Sequence, residues 1–372
     1  MRLEIGQQGS GRYKAGREVR MSQEEAAREN RALEGDMSSR LAFVVGPPRS
    51  GSTLLMRILN ATSQVYSRYE PHLLPALAHL GFWETVDKAP YDQLQAQQAI
   101  RTFVQDLPGG EQDYWDACRA YLDVLYGRML QNAPAGERYF LDKTPANSLV
   151  LPFMAKVYPD AKFIILTRHP AAIFASYANS FFDGDFQAAV DFNPILSRYV
   201  PVMAAFLREA PIPHIHVKYE DLVSDPEGQL RRISTFLEIP YEPDAVNYQS
   251  KDVVGEGLGD PVGVQAHSRP VTTSIHKWAP ELAADPDKFN VVADQLAGLP
   301  ADDLATFGYP KPTLWDPMEQ ADPKSWVPAK TRWDRFQRQR KILVWLRRDI
   351  HNRWYGPLVR KIRFICDVLL RG

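Results

Sequence analysis

One cluster combines the residue types and spacing needed to hold a phosphorylated ligand: Gly46-Pro47-Pro48-Arg49-Ser50-Gly51-Ser52-Thr53. The spacing is that of a phosphate-binding loop, G-x-x-x-x-G-K-[ST], with Ser52 where the lysine belongs. In such a loop the backbone N–H groups of residues 49–53 converge on an anion, and the helix behind it presents its positive N-terminus. Arg49 adds a cation. The missing lysine removes the reach to a γ-phosphate. The later apolar run Phe163–Leu166 ends in Thr167-Arg168, without an aspartate for magnesium. Ordinary ATPase or GTPase chemistry is therefore disfavoured. A Gly/Ser turn between strand and helix that holds no ligand is the plain alternative.

The elements around the loop fit a ligand crevice. Leu41–Val45 is a continuous apolar run, as expected of a parallel strand buried on both faces, and Leu54–Leu59 begins a helix. Arg138–Leu141, Lys162–Thr167 and the alternating segment 214–219 read as further strands, with a short one at Val65–Tyr69. Pro170 opens a helix, and Asp225-Pro226 is an N-cap signal before the stripe Leu230, Ile233, Phe236, Leu237. Residues 73–131 carry helical periodicity between the second and third strands. The fold class expected is α/β: three layers around a central parallel sheet, with a helical insertion and a helical C-terminal tail. Three segments are expected: a polar arm over 1–40, a main domain over 41–310, and a linker with a basic tail over 311–372.

With those elements in place, PPRSGST resembles the 5′-phosphosulfate loop of sulfotransferases that use 3′-phosphoadenosine 5′-phosphosulfate (PAPS). The family's second signature is an Arg with a Ser eight residues on. FIILTRHPAAIFASY provides Arg168 and Ser176 at that spacing. The resemblance covers about residues 41–280 and is nearest in spacing to the Golgi-type, tyrosylprotein and bacterial branches. It implies that Pro48, Arg49, Ser50, Gly51, Ser52 and Thr53 hold the 5′-phosphosulfate and that Arg168 and Ser176 grip the 3′-phosphate. PAPS is then the co-substrate and 3′,5′-ADP (PAP) the product, without a metal.

Sulfuryl transfer needs a base for the acceptor proton, a cation on the departing phosphate oxygen and donors around the sulfonate. The resemblance implies Glu70, in SRYEPHLLP, as the base, with His72 as the alternative. It implies Lys143, in LDKTPAN, as the cation at the leaving oxygen; Thr144 and Asn147 support it or cap the next helix. In HSRPVTTSIHKW it implies Arg269 and Lys277 as cofactor contacts, and His267 and Ser268 as acceptor or sulfonate contacts. This last segment aligns less cleanly, off by about one residue upstream of Lys277.

The composition limits the remaining choices. Forty-four Lys and Arg face 45 Asp and Glu, for a net charge of -1, which excludes a uniformly basic nucleic-acid coat. That balance conceals a tail, residues 329–372, with 13 basic and 3 acidic residues. Trp326, Trp333, Trp345 and Trp354 lie in or beside it, and its apolar positions recur at helical spacing. It reads either as packed on the main domain or as docking on an acidic carrier protein or anionic membrane surface. Nucleic acid is not expected as a partner. Cys118 and Cys366 make no CxxC pair. Without an apolar leader or span, a cytoplasmic protein, free or peripheral at a membrane, is expected. The aromatic-rich insertion reads either as ordinary core or as a roof over an apolar acceptor pocket, which favours a lipid, polyketide or acyl acceptor, through a hydroxyl or an amine, over a free sugar. Two other classes remain: a P-loop nucleotide-dependent phosphotransferase, and a non-catalytic nucleotide-binding docking protein.

Overall fold

The structure is a computed structural model that describes residues 37–68, 70–83, 93–134, 136–209, 212–249 and 267–327, with Leu358, Lys361 and Ile362 near the C-terminus. Residues 1–36 of the arm and most of the basic tail lie outside the described residues, as do Tyr69 and Tyr91, while Met37 and Ser38 at the arm's end are buried against the body.

Among the described residues five strands are formed: β1 (Leu41–Val45), β2 (Val65–Ser67), β3 (Tyr139–Asp142), β4 (Lys162–Thr167) and β5 (His214–Lys218). They make one sheet in the order β2-β3-β1-β4-β5, and every pairing is parallel. All five residues of β1 are buried. The strand is apolar throughout because successive side chains enter opposite cores. Leu41, Phe43 and Val45 face one core with Phe140, Phe163 and Ile165. Ala42 and Val44 face the other with Leu141, Ile164, Leu166 and Val217.

Helices cover both faces, giving three layers. Ser52–Asn60, Tyr219–Ser224 and Pro226–Leu237 cover the second core. Leu73–Ala78, Glu111–Leu130, Leu151–Val157, Pro170–Phe181 and Ile195–Glu209 cover the first. The N-cap at Asp225 forms, its side chain accepting from the Gly228 N–H at 3.0 Å.

Three strands move from expectation, β5 ending at Lys218, one residue early, because Tyr219 opens the next helix. β3 runs one residue later, so that Asp142 ends it. β2 stops at Ser67, whose N–H donates to Asn60 Oδ1 at 2.8 Å and whose hydroxyl donates to the Leu141 carbonyl at 2.8 Å. Much of the insertion's aromatic content also goes elsewhere than a pocket roof. Phe82 lies 4.1 Å from Tyr114, and Trp83 and Trp115 each lie 5.9 Å from Phe153, ring centre to ring centre. These rings fill core, while Phe103 and Tyr121 are exposed. Residues past 310 also lie against the body. Leu314 is buried, and Trp315 packs on Phe289 at 4.9 Å.

β1 sits between a β2/β3 flank and a β4/β5 flank. Chain connections leave it in both directions, and crevices of open parallel sheets form at the carboxyl ends of strands at such a point. The loop after β1, Lys143 after β3, Arg168 after β4 and Tyr219 after β5 all stand at that edge.

Candidate active site

The loop after β1 is shaped by two glycines that admit no side chain. A Cβ on Gly46 would lie 2.6 Å from Ser50 Oγ and 2.7 Å from the Leu166 carbonyl oxygen. One on Gly51 would lie 2.4 Å from a ring carbon of Tyr219, at a backbone φ of +93°. Arg49 is also left-handed, with φ 71°. Left-handed residues alternating with right-handed ones turn successive N–H groups inward, which makes an anion-binding concavity. The loop closes through the Ser50 N–H, which donates to the Pro47 carbonyl at 3.1 Å. Ser50 is buried, and its hydroxyl oxygen has no partner among the described residues. Ser52 is buried at the start of the helix, with Thr53 half-buried beside it.

Arg168 and Ser176 come to this loop. Arg49 Nε donates to Ser176 Oγ at 3.1 Å. Arg168 donates from Nη1 to the Arg49 carbonyl at 3.0 Å and from Nη2 to the Ser274 carbonyl at 2.8 Å. Its guanidinium lies 4.3 Å from the centre of the Tyr219 ring. Its Nε is buried without a partner among the described residues, and burial pulls its pKa below the usual arginine value. The two arginines, the orphaned Ser50 hydroxyl and the glycine cradle fit a nucleotide with two separate anionic groups. Arg49 and the loop amides suit one group, and Arg168 with Ser176 suits the other.

The three residues expected at the reacting centre form one chain of contacts. Lys143 Nζ is fully buried, 2.5 Å from Glu70 Oε1. His72 Nε2 lies 3.2 Å from Glu70 Oε2. Asp142 holds the strand end behind Lys143. Its carboxylate accepts from the Tyr126 hydroxyl at 2.6 Å and from the Thr144 hydroxyl at 2.8 Å, and burial pushes its pKa up. Thr144 therefore supports the Lys143 turn and makes no side-chain cap for the turn that follows. Tyr199, pushed up to about 12 mainly by burial, feels the charge of Glu70.

Residues 267–277 stay at the rim. His267, Ser268, Arg269 and Lys277 are all exposed. Arg269 pairs with Glu227, and the His267 carbonyl accepts from Gln249 Nε2 at 3.1 Å. Lys277 is the residue before helix Trp278–Ala284. Trp278 is buried and stacks on His169 at 4.4 Å. It anchors this segment from beneath.

Residues 42–243, more than half of the chain, match the model of the Sulfotransferase family. The chain belongs to the sulfotransferase family. Over 137 residues this sulfotransferase is 36% identical to Nodulation protein NoeE of Sinorhizobium fredii, a match that spans 37% of this chain and 30% of that protein. Over 290 residues it is 26% identical to Protein-tyrosine sulfotransferase 1 of Danio rerio, covering 74% of this chain and 77% of that protein. The solved sulfotransferase domain from the curacin biosynthetic pathway covers 70% of this chain and 99% of its own, at 22% identity and a TM-score of 0.46. Among the described residues, no helix is long and apolar enough to cross a membrane.

Two residues beside these candidates were not singled out from sequence. Tyr219 braces both the loop after β1 and the residue after β4, packing against Gly51 and stacking on Arg168. A tyrosine at the last position of a predicted strand was the available signal. Glu220 accepts from the His169 N–H at 3.0 Å and from the Tyr309 hydroxyl, which fixes the turn after Arg168. Nothing in the sequence links these three positions.

Proposed function

We propose that this sulfotransferase carries the sulfuryl group of PAPS, in line, to a hydroxyl of a small acceptor with an aromatic or acyl body. PAPS supplies a sulfuryl group already bonded to a good phosphate leaving group. The loop amides with Arg49, Ser52 and Thr53 bind the phosphosulfate end, and Arg168 with Ser176 binds the 3′-phosphate. Glu70 takes the acceptor proton. Lys143 stabilises the oxygen that departs, and its burial strengthens that interaction. The observation that carries this reading is the contact of 2.5 Å between the Lys143 ammonium and the Glu70 carboxylate at the edge that also bears the anion loop. A base and a cation placed together serve sulfuryl transfer without a γ-phosphate lysine.

An aromatic wall beside the site supports the acceptor class. Tyr177 lies 5.6 Å from Phe181 and 5.2 Å from Phe182, and Phe182 lies 5.5 Å from Phe192. Phe181 and Phe192 are partly exposed, and Phe181 lies 5.8 Å from the Arg49 guanidinium. The protein-tyrosine sulfotransferases named among the relatives use an aryl hydroxyl, which agrees with such a wall. The tail, with 13 basic and 3 acidic residues over 329–372, is assigned to an acidic carrier or an anionic membrane surface, so its deletion should abolish that association and leave transfer intact.

Calorimetry tests the cofactor side. PAP without magnesium should bind more tightly than ATP with magnesium; the reverse preference would support a phosphotransferase instead.

A further inference from the structure

Glu70 has a neighbour on each oxygen. Oε1 meets Lys143 Nζ at 2.5 Å, and Oε2 meets His72 Nε2 at 3.2 Å. Side-chain exposure rises along this line, from 0% at Lys143 through 13% at Glu70 to 44% at His72. A proton collected by Glu70 cannot leave through an ammonium, which has no lone pair to accept it. Of the two groups on the carboxylate, the imidazole alone can take up a proton and also reaches water.

The backbone at His72 points the same way. His72 stands at φ 53° and ψ 24°, a left-handed conformation uncommon outside glycine, directly before helix Leu73–Ala78. Holding a histidine there costs on the order of 1–2 kcal/mol. Such a cost is retained where the side chain has to occupy one place, and here that place is the open side of Glu70.

We propose that His72 is a proton-relay residue for the transfer. This rests on Glu70 being the base. The acceptor O–H bond breaks and its proton goes to Glu70 as the new O–S bond forms. Glu70 then passes the proton to Nε2 of neutral His72, which becomes imidazolium. The imidazolium releases its Nδ1 proton to water or buffer, which leaves a neutral ring whose Nε2–H donates to the ionised Glu70 carboxylate, and tautomer exchange through water frees the Nε2 lone pair when Glu70 is next protonated. The carboxylate is returned to its ionised state beside Lys143 for the next turnover. Charge and protons balance without any other reactant.

The test uses the full chain and radiolabelled PAPS, with water as one acceptor and 2-naphthol as another. His72→Asn keeps a residue that tolerates the left-handed backbone and can still hydrogen-bond Glu70, but it carries no proton at neutral pH. Turnover should fall on the order of tenfold or more. PAP affinity should stay within about twofold of the parent, as befits a residue outside the cofactor cradle. Added imidazole should restore turnover in proportion to its concentration. Glu70→Gln, by contrast, should not respond to imidazole. Unchanged turnover in His72→Asn overturns the relay, and so does a loss that no buffer restores, since that marks a purely structural role. Full turnover in Glu70→Gln, or no consumption of PAPS by the parent chain, overturns the base assignment beneath the relay.

Discussion

The Lys143 ammonium is fully buried and lies 2.5 Å from Glu70 Oε1. A buried charge is tolerated only when paired, and removing one partner of such a pair costs roughly 3–5 kcal/mol. The pair therefore fixes both side chains at the end of β3, and in doing so sets the proposed base beside the proposed leaving-group cation. A second anion arriving at Lys143 would compete with Glu70 for the ammonium. Cofactor binding is then expected to loosen the hold on the carboxylate and leave it freer to act as a base.

Arg168 should discriminate between nucleotides by their 3′-phosphate. Its planar fork donates to two backbone carbonyls and stacks on Tyr219, and lysine cannot reproduce that geometry. In Arg168→Lys, PAP affinity should fall roughly 10- to 100-fold, the value of a charge-assisted bond. Affinity for 5′-AMP should change far less. Equal losses for both nucleotides, measured by calorimetry, would place the 3′-phosphate elsewhere.

Gly51 tests the cradle. A methyl group there meets the Tyr219 ring at 2.4 Å and also imposes a left-handed alanine. Gly51→Ala should lose about 1–3 kcal/mol of stability and weaken PAP binding as well. Denaturant melts with and without PAP check both effects. An unchanged midpoint would show that the loop gives way freely.

His169 is expected to make the fold acid-sensitive. Burial lowers its pKa from 6.5 to about 4, with Nε2 donating to the Leu314 carbonyl at 2.9 Å. The unfolded chain binds this proton first as pH falls. The contribution of the neutral ring is therefore complete above pH 6.5 and is lost as pH approaches 4. The loss amounts to about 3 kcal/mol. His169→Asn, which can still donate to Leu314, should flatten stability against pH across that window. If the variant keeps the parent's slope in urea melts, the acid sensitivity arises from other groups.

Phe181 should set acceptor affinity. It is partly exposed beside Arg49, and an aromatic acceptor would cover it. Phe181→Ala removes about 1–2 kcal/mol of that burial, so KM for 2-naphthol should rise about tenfold while KM for PAPS holds. A matched rise in KM for ethanol would argue against an aromatic contact.

Much of the sheet was legible because buried parallel strands are short, apolar runs. Leu41–Val45 and Lys162–Thr167 have the bounds expected. The anion loop was legible from its glycines and the arginine between them. Glu70, His72, Lys143, Arg168 and Ser176 were named from local motifs, and the structure brings them to one edge of the sheet. The strand order was not legible, since pairing Val65–Ser67 with Tyr139–Asp142 depends on contacts across the whole helical insertion. For the same reason sequence could not decide between a pocket roof and ordinary core for the insertion's aromatic rings, of which Trp83 and Trp115 pack on Phe153 and Phe82 packs on Tyr114. The segment 267–277 carried the weakest alignment. There, Arg269 has taken a protein partner, Glu227. Tyr219 was missed because its role comes from two neighbours, Gly51 and Arg168, that lie far from it in the chain.

The central claim is that Glu70 is the base of a sulfuryl transfer that uses PAPS. Its most direct measurement is the rate of label transfer from PAPS by the parent chain and by Glu70→Gln, with PAP affinity measured on the same preparations. The glutamine can still accept from Lys143, so the cradle should hold. PAP affinity should then be held or tightened, since Glu70 no longer competes for the ammonium, while transfer falls by on the order of 10²-fold or more. Transfer that persists at the parent's rate in Glu70→Gln, with PAP bound equally well, would contradict the account.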